Sequence, residues 1–426
     1  MSPRAVGHAG AALVSDDGVG ALFACPAAIA RRDAHRIQLA GLFIDDDVWL
    51  EGDDHPRIAD RGPTELVPLA GAITTLGPLV VGAAIATTAS LDRRLPAPEP
   101  GLPVATVMSD FPHRYAALET RWTRRTAAIG AAARPAEWLA IGASATLARV
   151  DAAETRRMWA GFGGRDLPLG TPVRDVIVGV DARDALVPGG ALGALVAPVD
   201  VPIELALGAS WSDDVDATGA ATIEVARTPP APVEAPTVEA GGARARGRFT
   251  SPLVLHAGVR WVGERYAVEG GATAWTYPGG TGDDWEITGA RVVDGSGASA
   301  PIDGMTTRIG RRTHAAARAS VDVEVLPGFV WMSAGYGWRG AAQSVQGTTI
   351  GGVERGGHTV ALGAEISAGA AVITLGWSRH LARDTTAGAP GLLWDNPLAT
   401  EALPANTGVH GHSRDMVGIG VEVSAE

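Results

Sequence analysis

The chain alternates short turns with long polar loops, and between them lie segments whose apolar residues fall on every second position. In residues 203–211, Ile, Leu, Leu, Ala and Trp form one face, and Glu, Ala, Gly and Ser form the other. Successive side chains of a strand point to opposite faces, so this pattern predicts strands with one apolar face and one small or polar face. The alternation of long loops and short turns along the whole chain is typical of outer-membrane β-barrels.

Apolar residues at every second position, in segments separated by turn-forming residues, predict about fourteen strands. The first runs over about 37–50 and the last over 412–424. The long connections are predicted as loops, over about 51–65, 90–121, 150–188, 214–249, 278–311, 340–356 and 384–411. Short turns at one rim and long loops at the other indicate an all-β fold, a transmembrane antiparallel barrel. A soluble β-sandwich, or two such domains, is the alternative interpretation.

Composition narrows the classes of function. The net charge of −12 argues against a nucleic-acid partner, because binding phosphates requires clustered cations. The single cysteine, Cys25, excludes an internal disulfide and a Cys-rich metal site. No run of about 20 apolar residues is present, which excludes a membrane-spanning helix. The sequence shows no signal peptide, so for an exported protein we expect a mature chain or a trimmed start.

The sequence predicts no enzyme. It lacks the Gly-x-Ser-x-Gly, His-Glu-x-x-His and phosphate-loop patterns, so no catalytic residue and no cofactor are predicted. Two acidic groups, at 45–47 and 53–54, and the pair His410 and His412 carry metal-ligating side chains. Neither has the spacing of a known ligand set, and a solvated loop is the favoured interpretation of both. We predict no metal site.

Residues 4–27 read RAVGHAGAALVSDDGVGALFACPA. This segment resembles the opening of the FadL/TodX family of outer-membrane transporters for long-chain fatty acids and aromatic hydrocarbons. The family pattern is roughly R-A-x-x-G, then G-A, five residues and D-D, then six residues and N-P-A. Two positions depart from it: Gly18 stands where the second Asp is usual, and Cys25 where the Asn is usual. The positions in register are Gly10, Ala11, Asp17, Ala21, Phe23, Pro26 and Ala27.

The resemblance implies a small N-terminal hatch of short helices or coil, residues 1–34, inside a barrel formed by residues 35–426. In that family a hydrophobic ligand is captured by the outer loops, enters an apolar pocket in the lumen and leaves sideways at a kinked third strand. The implied function is passive uptake of long-chain fatty acids or hydrocarbons across the outer membrane. The implied partners are such a ligand and outer-membrane lipid or lipopolysaccharide, and the chain is expected to be a monomer.

The resemblance also assigns candidate site residues. The predicted hatch residues are Arg4, Gly10, Asp17, Phe23, Cys25, Pro26 and Ala27. Pro78 and Gly82, in the third strand, are candidates for a lateral gate, because both residue types weaken strand pairing. Apart from the resemblance, Arg114, Arg121 and Arg124 are candidates for binding a ligand carboxylate or lipopolysaccharide phosphates, because a guanidinium suits both. Because Gly18 and Cys25 depart from the pattern, a non-transporting or porin-like structural or adhesive barrel remains an alternative, as does a secreted soluble β protein.

Overall fold

The structure is a computed structural model of the full chain. It describes all residues except 33, 53–54, 161–171, 227–235, 278–282, 294–296, 308–310, 345–349, 352–354, 388–391, 395–402, 406 and 426. Among the described residues, no helix has the length and apolar character needed to cross a membrane. The described helices are short: α1 (Pro3–Gly7), α2 (Val104–Asp110) and the 3₁₀ turns Val19–Phe23, Pro26–Arg31, Pro112–Tyr115 and Pro172–Arg174.

Fourteen strands form a closed antiparallel barrel, in which each strand pairs with its neighbours in the order of the chain. They are β1 (His35–Gly52), β2 (Glu65–Leu76), β3 (Leu79–Arg94), β4 (Glu119–Ala136), β5 (Leu139–Trp159), β6 (Asp175–Val196), β7 (Ile203–Ser212), β8 (Leu253–Val262), β9 (Tyr266–Thr276), β10 (His314–Leu326), β11 (Val330–Arg339), β12 (Gly357–Ala368), β13 (Ala371–Ala382) and β14 (Gly408–Ala425).

The barrel closes where the last strand pairs with the first. The β1–β14 ladder runs without a shift from His35 opposite Ala425 to Glu51 opposite Val409. Short turns join β2 to β3 and each later pair up to β12–β13 at one rim, which we call the turn end, and long connections cross the other rim, the loop end. The predicted fourteen-strand antiparallel barrel is therefore confirmed.

The outer face of the barrel is an apolar belt. In β7, Leu205 is 47 % and Leu207 63 % exposed, whereas Ala206 between them is buried. In β14 the Val and Ile residues at 417, 419, 421 and 423 are exposed, and the residues between them are buried or half-buried. Only a lipid environment removes such a continuous belt from water, so this is the outer face of a membrane barrel.

The long connections contain more strand than the sequence predicts. Eleven short strands lie in them: His55–Ala59, Val215–Val225, Thr237–Glu239, Arg244–Phe249, Asp283–Thr288, Arg291–Val293, Ser299–Pro301, Gly304–Thr307, Thr385–Ala387, Leu392–Trp394 and Leu403–Ala405. The prediction that these stretches are loops is wrong for those residues. Their alternating runs are short and interrupted by Gly and Pro, and pairing is what orders them. Three of them, at 55–59, 215–225 and 385–387, pair with projecting ends of barrel strands, and the others pair with neighbouring strands of the connections.

A second core lies beyond the loop end of the belt. Over residues 176–183, β6 pairs not with β7 but with Val215–Val225, which pairs with Arg244–Phe249, and this strand pairs with Asp283–Thr288. The inner face of this sheet buries Val176, Val178, Trp285 and Ile287 in one cluster. Its outer face is charged and carries pairs such as Arg183 with Asp151, 2.6 Å apart. The barrel wall therefore continues outward as a sheet with its own hydrophobic core.

We predict that Leu205→Arg impairs membrane insertion of the folded barrel by about 2–4 kcal/mol, because an outward guanidinium would lie in the lipid belt. Leu205→Ala, which keeps the face apolar, is the matched control. The measurement is the folded fraction after refolding into lipid bilayers, followed by the mobility shift of unheated samples in gel electrophoresis. Equal folding of the two variants would mean that this face of β7 does not contact lipid.

Candidate ligand-passage site

The N-terminal segment, residues 1–32, lies inside the barrel. Its backbone is hydrogen bonded to inward-facing side chains of five strands that are spread around the ring. The bonds are 2.6–3.5 Å long. The bonded pairs are Gly7 with Ser333 (β11), Ala11 with Ser320 (β10), Val14 with Glu269 (β9), Val19 with Gln38 (β1) and Leu22 with Ser144 (β5). A segment bound to all sides of a closed wall occupies its lumen.

Glycines in the wall allow this close approach. A Cβ atom at Gly208 would lie 2.2 Å from the carbonyl oxygen of Ala24, and one at Gly142 would lie 2.6 Å from the backbone nitrogen of Ala27. The wall glycines that meet the N-terminal segment within 3.4 Å are Gly71, Gly82, Gly130, Gly142, Gly193, Gly208, Gly258, Gly335, Gly337, Gly363, Gly376, Gly418 and Gly420. The high glycine content of the chain is thus used, at these positions, to seat the segment against backbone.

Charged groups join the segment to the wall. Arg4 pairs with Glu365 of β12, and Arg31 forms a bidentate pair with Glu204 of β7, at 2.8 and 2.9 Å. His8 Nε2 lies 2.6 Å from Asp322 Oδ1 of β10. These three contacts lie on one arc of the ring, from β7 to β12, and they attach the segment to that side of the wall. Arg4, His8 and Arg31 also line a polar cavity of about 270 Å³.

The predicted hatch residues are all in this segment. Arg4 also donates to the carbonyl oxygen of Ser15, at 2.7 Å. Gly10 has φ +85°, a conformation that glycine adopts at little cost, and it lies directly against the side chain of Arg318. Asp17 is buried and accepts from Arg32 Nε at 2.8 Å, and Phe23 packs against the inner hydrophobic cluster.

The departure from the family pattern at Cys25 is accommodated. The Cys25 side chain is buried, with its Sγ 3.4 Å from the carbonyl oxygen of Leu207. Pro26 begins the 3₁₀ turn Pro26–Arg31, where a missing N–H costs nothing, and Ala27 is fully buried against Gly142. The roles assigned to these residues by resemblance stay predictions, but the structure places all of them inside the lumen.

The gate candidates lie in and beside the turn end of β3. Pro78 is in the turn before the strand, not within it. Gly82 sits in continuous ladders, opposite Ile73 of β2 and Gly130 of β4. The register irregularity of this strand lies closer to the loop end, at Thr88, which has no partner between the pairs of Thr87 and Ala89 with β4. The gate role of Pro78 and Gly82 remains a prediction that this pairing does not favour.

The wall has a gap in its hydrogen-bond ladder between β2 and β3. Pairing of these strands stops at Leu69 opposite Ala86, although β2 continues to Glu65 along β1 and β3 continues to Arg94 along β4. Residues 65–68 and 87–91 therefore face each other without ladder pairing, and we call this the ladder gap. It is closed at the loop end by the bond from Arg61 N–H to the carbonyl oxygen of Arg94, at 2.8 Å.

The bulge at Thr88 reverses the faces of β3. On its turn-end side the inward, buried residues are Val80, Gly82, Ala84 and Ala86, and on its loop-end side Arg93 is buried. An extra residue shifts the period of two by one, which turns odd-numbered residues inward. The bulge and the end of β2–β3 pairing coincide, so the same local distortion produces both.

The carboxylate candidates are not brought together. Arg114, in the 3₁₀ turn Pro112–Tyr115, is buried, and its Nε lies 3.2 Å from Asp175 Oδ2 at the start of β6. Asp175 also accepts from Arg157 and from the Tyr115 hydroxyl, at 3.3 and 2.6 Å. Burial raises the pKa of Asp175 to about 6 despite these donors, and burial together with Asp175 raises the pKa of Tyr115 well above its ordinary value. Arg114 is thus engaged in a structural network.

Arg121 and Arg124 lie on opposite faces of β4. Arg121 points outward, is 49 % exposed and has its Nη2 3.9 Å from Asp181 Oδ2. Arg124 is half-buried and shares the inward face with Thr126 and Ala128. The three candidates therefore cannot hold one carboxylate together, and contact of the exposed Arg121 with lipopolysaccharide stays a prediction.

Sequence reasoning missed three arginines on the other side of the lumen: Arg318 (β10) and Arg339 (β11), which are half-buried, and Arg355, which precedes β12 and is buried. Arg318 Nη1 donates to Thr273 Oγ1 at 2.8 Å. The guanidinium of Arg339 lies 4.9 Å from the ring centre of Trp275. Arg318 shares the inward face of β10 with Ala316 and Ser320, and the alternation of residues in the sequence could have identified it. Arg355 lies outside any alternating segment and could not be found in this way.

Asp46 and His412 form a paired cluster at the loop end of the lumen, so the interpretation of them as solvated loop is wrong: they lie in β1 and β14. Asp46 of β1 accepts a bidentate pair from Arg414 at 2.8 Å, a bond from Arg93 at 3.1 Å and a contact from His412 at 2.8 Å. His380 lies near His412, with ring centres 5.8 Å apart. In the part of the chain that the structure describes, no three His, Cys, Asp or Glu side chains gather as metal ligands.

We predict that Gly208→Leu displaces the N-terminal segment, because even its Cβ would overlap the backbone of Ala24. Cys25 is the single thiol of the chain and is buried under this contact, so maleimide labelling of the folded protein reports the displacement. The expected result is slow labelling of the parent and fast labelling of Gly208→Leu. Gly270→Leu, at a wall glycine whose Cβ would have no neighbour within 3.4 Å, is the control and should label as the parent does. Parent-like labelling of Gly208→Leu would contradict the seating described above.

Comparison with known proteins gives matches at the level of structure. No family model and no curated protein matches the sequence. A FadL homologue of Pseudomonas aeruginosa superposes with a TM-score of 0.72 at 14 % identity, over 99 % of this chain and 98 % of that one. The toluene transporter TodX of Pseudomonas putida gives 0.67 at 14 % identity, over 96 % and 94 %. The toluene transporter TbuX of Ralstonia pickettii gives 0.67 at 14 % identity, over 100 % and 98 %. The chain therefore has the fold of the FadL and TodX channels along its whole length.

Proposed function

We propose that this chain is an outer-membrane channel for passive entry of hydrophobic small molecules, with the N-terminal segment as its hatch and the ladder gap as its lateral exit. The observation that carries the proposal is the coincidence of an occupied lumen with an interrupted wall. A hatch in an intact wall would make a sealed barrel, and a gap beside an empty lumen would open a pore to lipid.

A hydrophobic ligand gains from such a path. Each CH₂ group favours an apolar environment over water by about 0.8 kcal/mol, so a water-filled pore is a poor route for a long alkyl chain. In the proposed path the ligand enters at the loop end, meets the hatch and leaves sideways into lipid. The alkyl chain is then never returned to water on the far side of the hatch.

The residues at the ladder gap suit this exit. Val67, Leu69 and Ala86 border it from the lumen side and are buried, whereas Leu66 is exposed on the belt. Unpaired backbone groups are costly in a membrane, and a gap persists only where that cost is offset or reduced. Pro68, at the gap, has no N–H to leave unpaired, which reduces the cost.

The hatch supplies the seal. Its apolar residues Val14, Val19, Leu22 and Ile29 are fully buried and pack with wall residues of β2 to β7 in one cluster. Arg4, His8 and Arg31 of the hatch pair with carboxylates of the wall, which holds the segment in the lumen. The names of the similar structures, which include toluene transporters and a monoaromatic hydrocarbon channel, support a hydrophobic cargo.

We predict that deletion of residues 1–34 raises the single-channel conductance in planar bilayers, because the lumen loses the segment that fills it. The full chain should conduct little at the same voltage and salt concentration. A parent with a large ohmic conductance would indicate a porin-like barrel, and an unchanged conductance after deletion would exclude the hatch as a plug.

We also predict that deletion of Thr88 lowers uptake of a hydrophobic ligand toward that of cells lacking the protein. Removing the extra residue makes the β3–β4 register continuous while residues 89, 91 and 93 keep their inward orientation, so pairing with β2 can extend across the gap. Thr88→Val keeps the bulge and is the control. Uptake is measured with a labelled alkane, and the gel mobility of unheated samples verifies folding. Parent-like uptake by a folded Thr88 deletion would rule out the ladder gap as the exit.

A further inference from the structure

Three exposed arginines lie together on the outer face of β4–β6. Arg125 of β4 is directly opposite Arg149 of β5 in the antiparallel ladder, and both side chains are exposed. Arg183 of β6 is also exposed and follows on the same face, opposite Asp151 of β5. We call Arg125, Arg149 and Arg183 the arginine cluster.

The arginine cluster begins where the apolar belt ends. On the outward face of β5, Arg149 comes directly after Leu147, and on β6 the exposed Leu186 lies on the belt side of Arg183. The long loops of an outer-membrane barrel face the cell exterior, so the loop end of the belt corresponds to the outer leaflet. The three guanidinium groups therefore lie at the level of the lipid head groups of that leaflet.

Carboxylates of the barrel do not balance the charge of the cluster. Asp151 is shared between two arginines, because it accepts from Arg183 at 2.6 Å and from Arg149 through both oxygens at 3.1 Å. Among the described residues, no carboxylate forms an ion pair with Arg125. Three guanidinium groups therefore share one carboxylate.

Two further carboxylates of β6 are engaged with other groups. Asp181 has its Oδ2 3.9 Å from Arg121 Nη2, outside the cluster. Asp184 accepts the backbone N–H groups of Leu186 and Asp216, at 3.0 and 2.8 Å. The excess of positive charge at the cluster therefore remains when the neighbouring acidic residues are included.

This arrangement is unfavourable for the barrel alone. Like charges directly opposite each other on neighbouring strands destabilise a sheet, and Arg125 and Arg149 are such a pair. The net charge of the chain is −12, so an excess of arginine at one place does not follow from composition. At β1 and β14 the outer face is acidic instead, where Asp45 lies opposite Asp415. An anionic ligand would offset the repulsion within the cluster.

We propose that the arginine cluster binds a phosphate group of an outer-leaflet glycolipid, lipopolysaccharide, and holds one such lipid against β4–β6. Phosphate fits the cluster because its oxygens accept paired hydrogen bonds from a guanidinium and its charge compensates more than one arginine.

The surface beside the cluster favours a lipid as the source of the phosphate. Ile129, Leu147 and Leu186 lie on the same outward face on the belt side of the arginines, and they are 67 %, 44 % and 65 % exposed. They offer an apolar surface for the acyl chains of the molecule whose phosphate the cluster holds. A small soluble phosphate compound would match the arginines but would gain nothing from these side chains.

The proposed lipid site adjoins the ladder gap. On its other side Arg125 pairs with Thr87 of β3, and Thr87 is the first residue of β3 beyond the pairing with β2. A lipid held by the cluster therefore lies one strand away from the gap, in the outer leaflet. Its binding does not require that a ligand pass through the barrel, so this inference and the proposed function can fail separately.

Binding of two lipids that differ in phosphate tests the inference. Deep-rough lipopolysaccharide, and the same lipid after chemical removal of its phosphates, are titrated into the delipidated full chain in detergent. Native mass spectrometry measures the bound lipid. EDTA is present throughout, because it removes divalent cations that could bridge lipid phosphates to carboxylates such as Asp45 and Asp415.

The variants are Arg125→Gln and Arg149→Gln, with the corresponding Lys substitutions as charge-retaining controls. Arg379→Gln, on the outer face of β13, is the matched control. It changes an arginine that is 48 % exposed and lies 3.7 Å from its carboxylate partner Asp415. The gel mobility of unheated samples verifies that each variant is folded.

The expected result is that the parent binds the phosphorylated lipid about tenfold or more tightly than the dephosphorylated one. Each Gln variant should lose most of this difference, the Lys variants should keep part of it, and Arg379→Gln should bind as the parent does. Equal affinity of the parent for both lipids, or parent-like discrimination by the folded Gln variants, would overturn the site. Displacement of the bound lipid by millimolar inorganic phosphate would indicate a site for free phosphate and would overturn the assignment to a lipid.

Discussion

The fold depends on the requirement that backbone groups within a membrane find hydrogen-bond partners in the protein. A closed antiparallel ring meets this requirement along the wall wherever neighbouring strands stay paired. In this barrel the β1–β14 ladder is continuous, whereas the β2–β3 ladder stops at Leu69 and Ala86. The two strands stay in place beside this interruption because each is still paired with its other neighbour in the ring.

The lumen imposes a second requirement. A barrel of this size encloses space that must be filled by protein or by water. The N-terminal segment fills it, and it is held by two kinds of contact that depend on each other. Glycines let its backbone approach the wall, and charged pairs such as Arg31 with Glu204 orient it. A pair of buried charges adds little net stability over an apolar pair, but it specifies one position strongly, because breaking it leaves a charge without a partner. Close backbone contact and charge pairing together therefore hold the segment in one position in the lumen.

Much of this fold could be predicted from the sequence, and there are physical reasons why the rest could not. Period-two alternation predicts the fourteen strands because lipid on one side and lumen on the other impose one apolar face. It misses the strands beyond the loop end, where Val215–Val225 and its neighbours enclose a small core and are ordered by pairing. The ladder gap was also hidden. It depends on a single extra residue, Thr88. That residue is recognised as extra only from the pairing of β3 with β4, which the sequence does not show. Arg114 could not be recognised as structural because Asp175 lies 61 residues away.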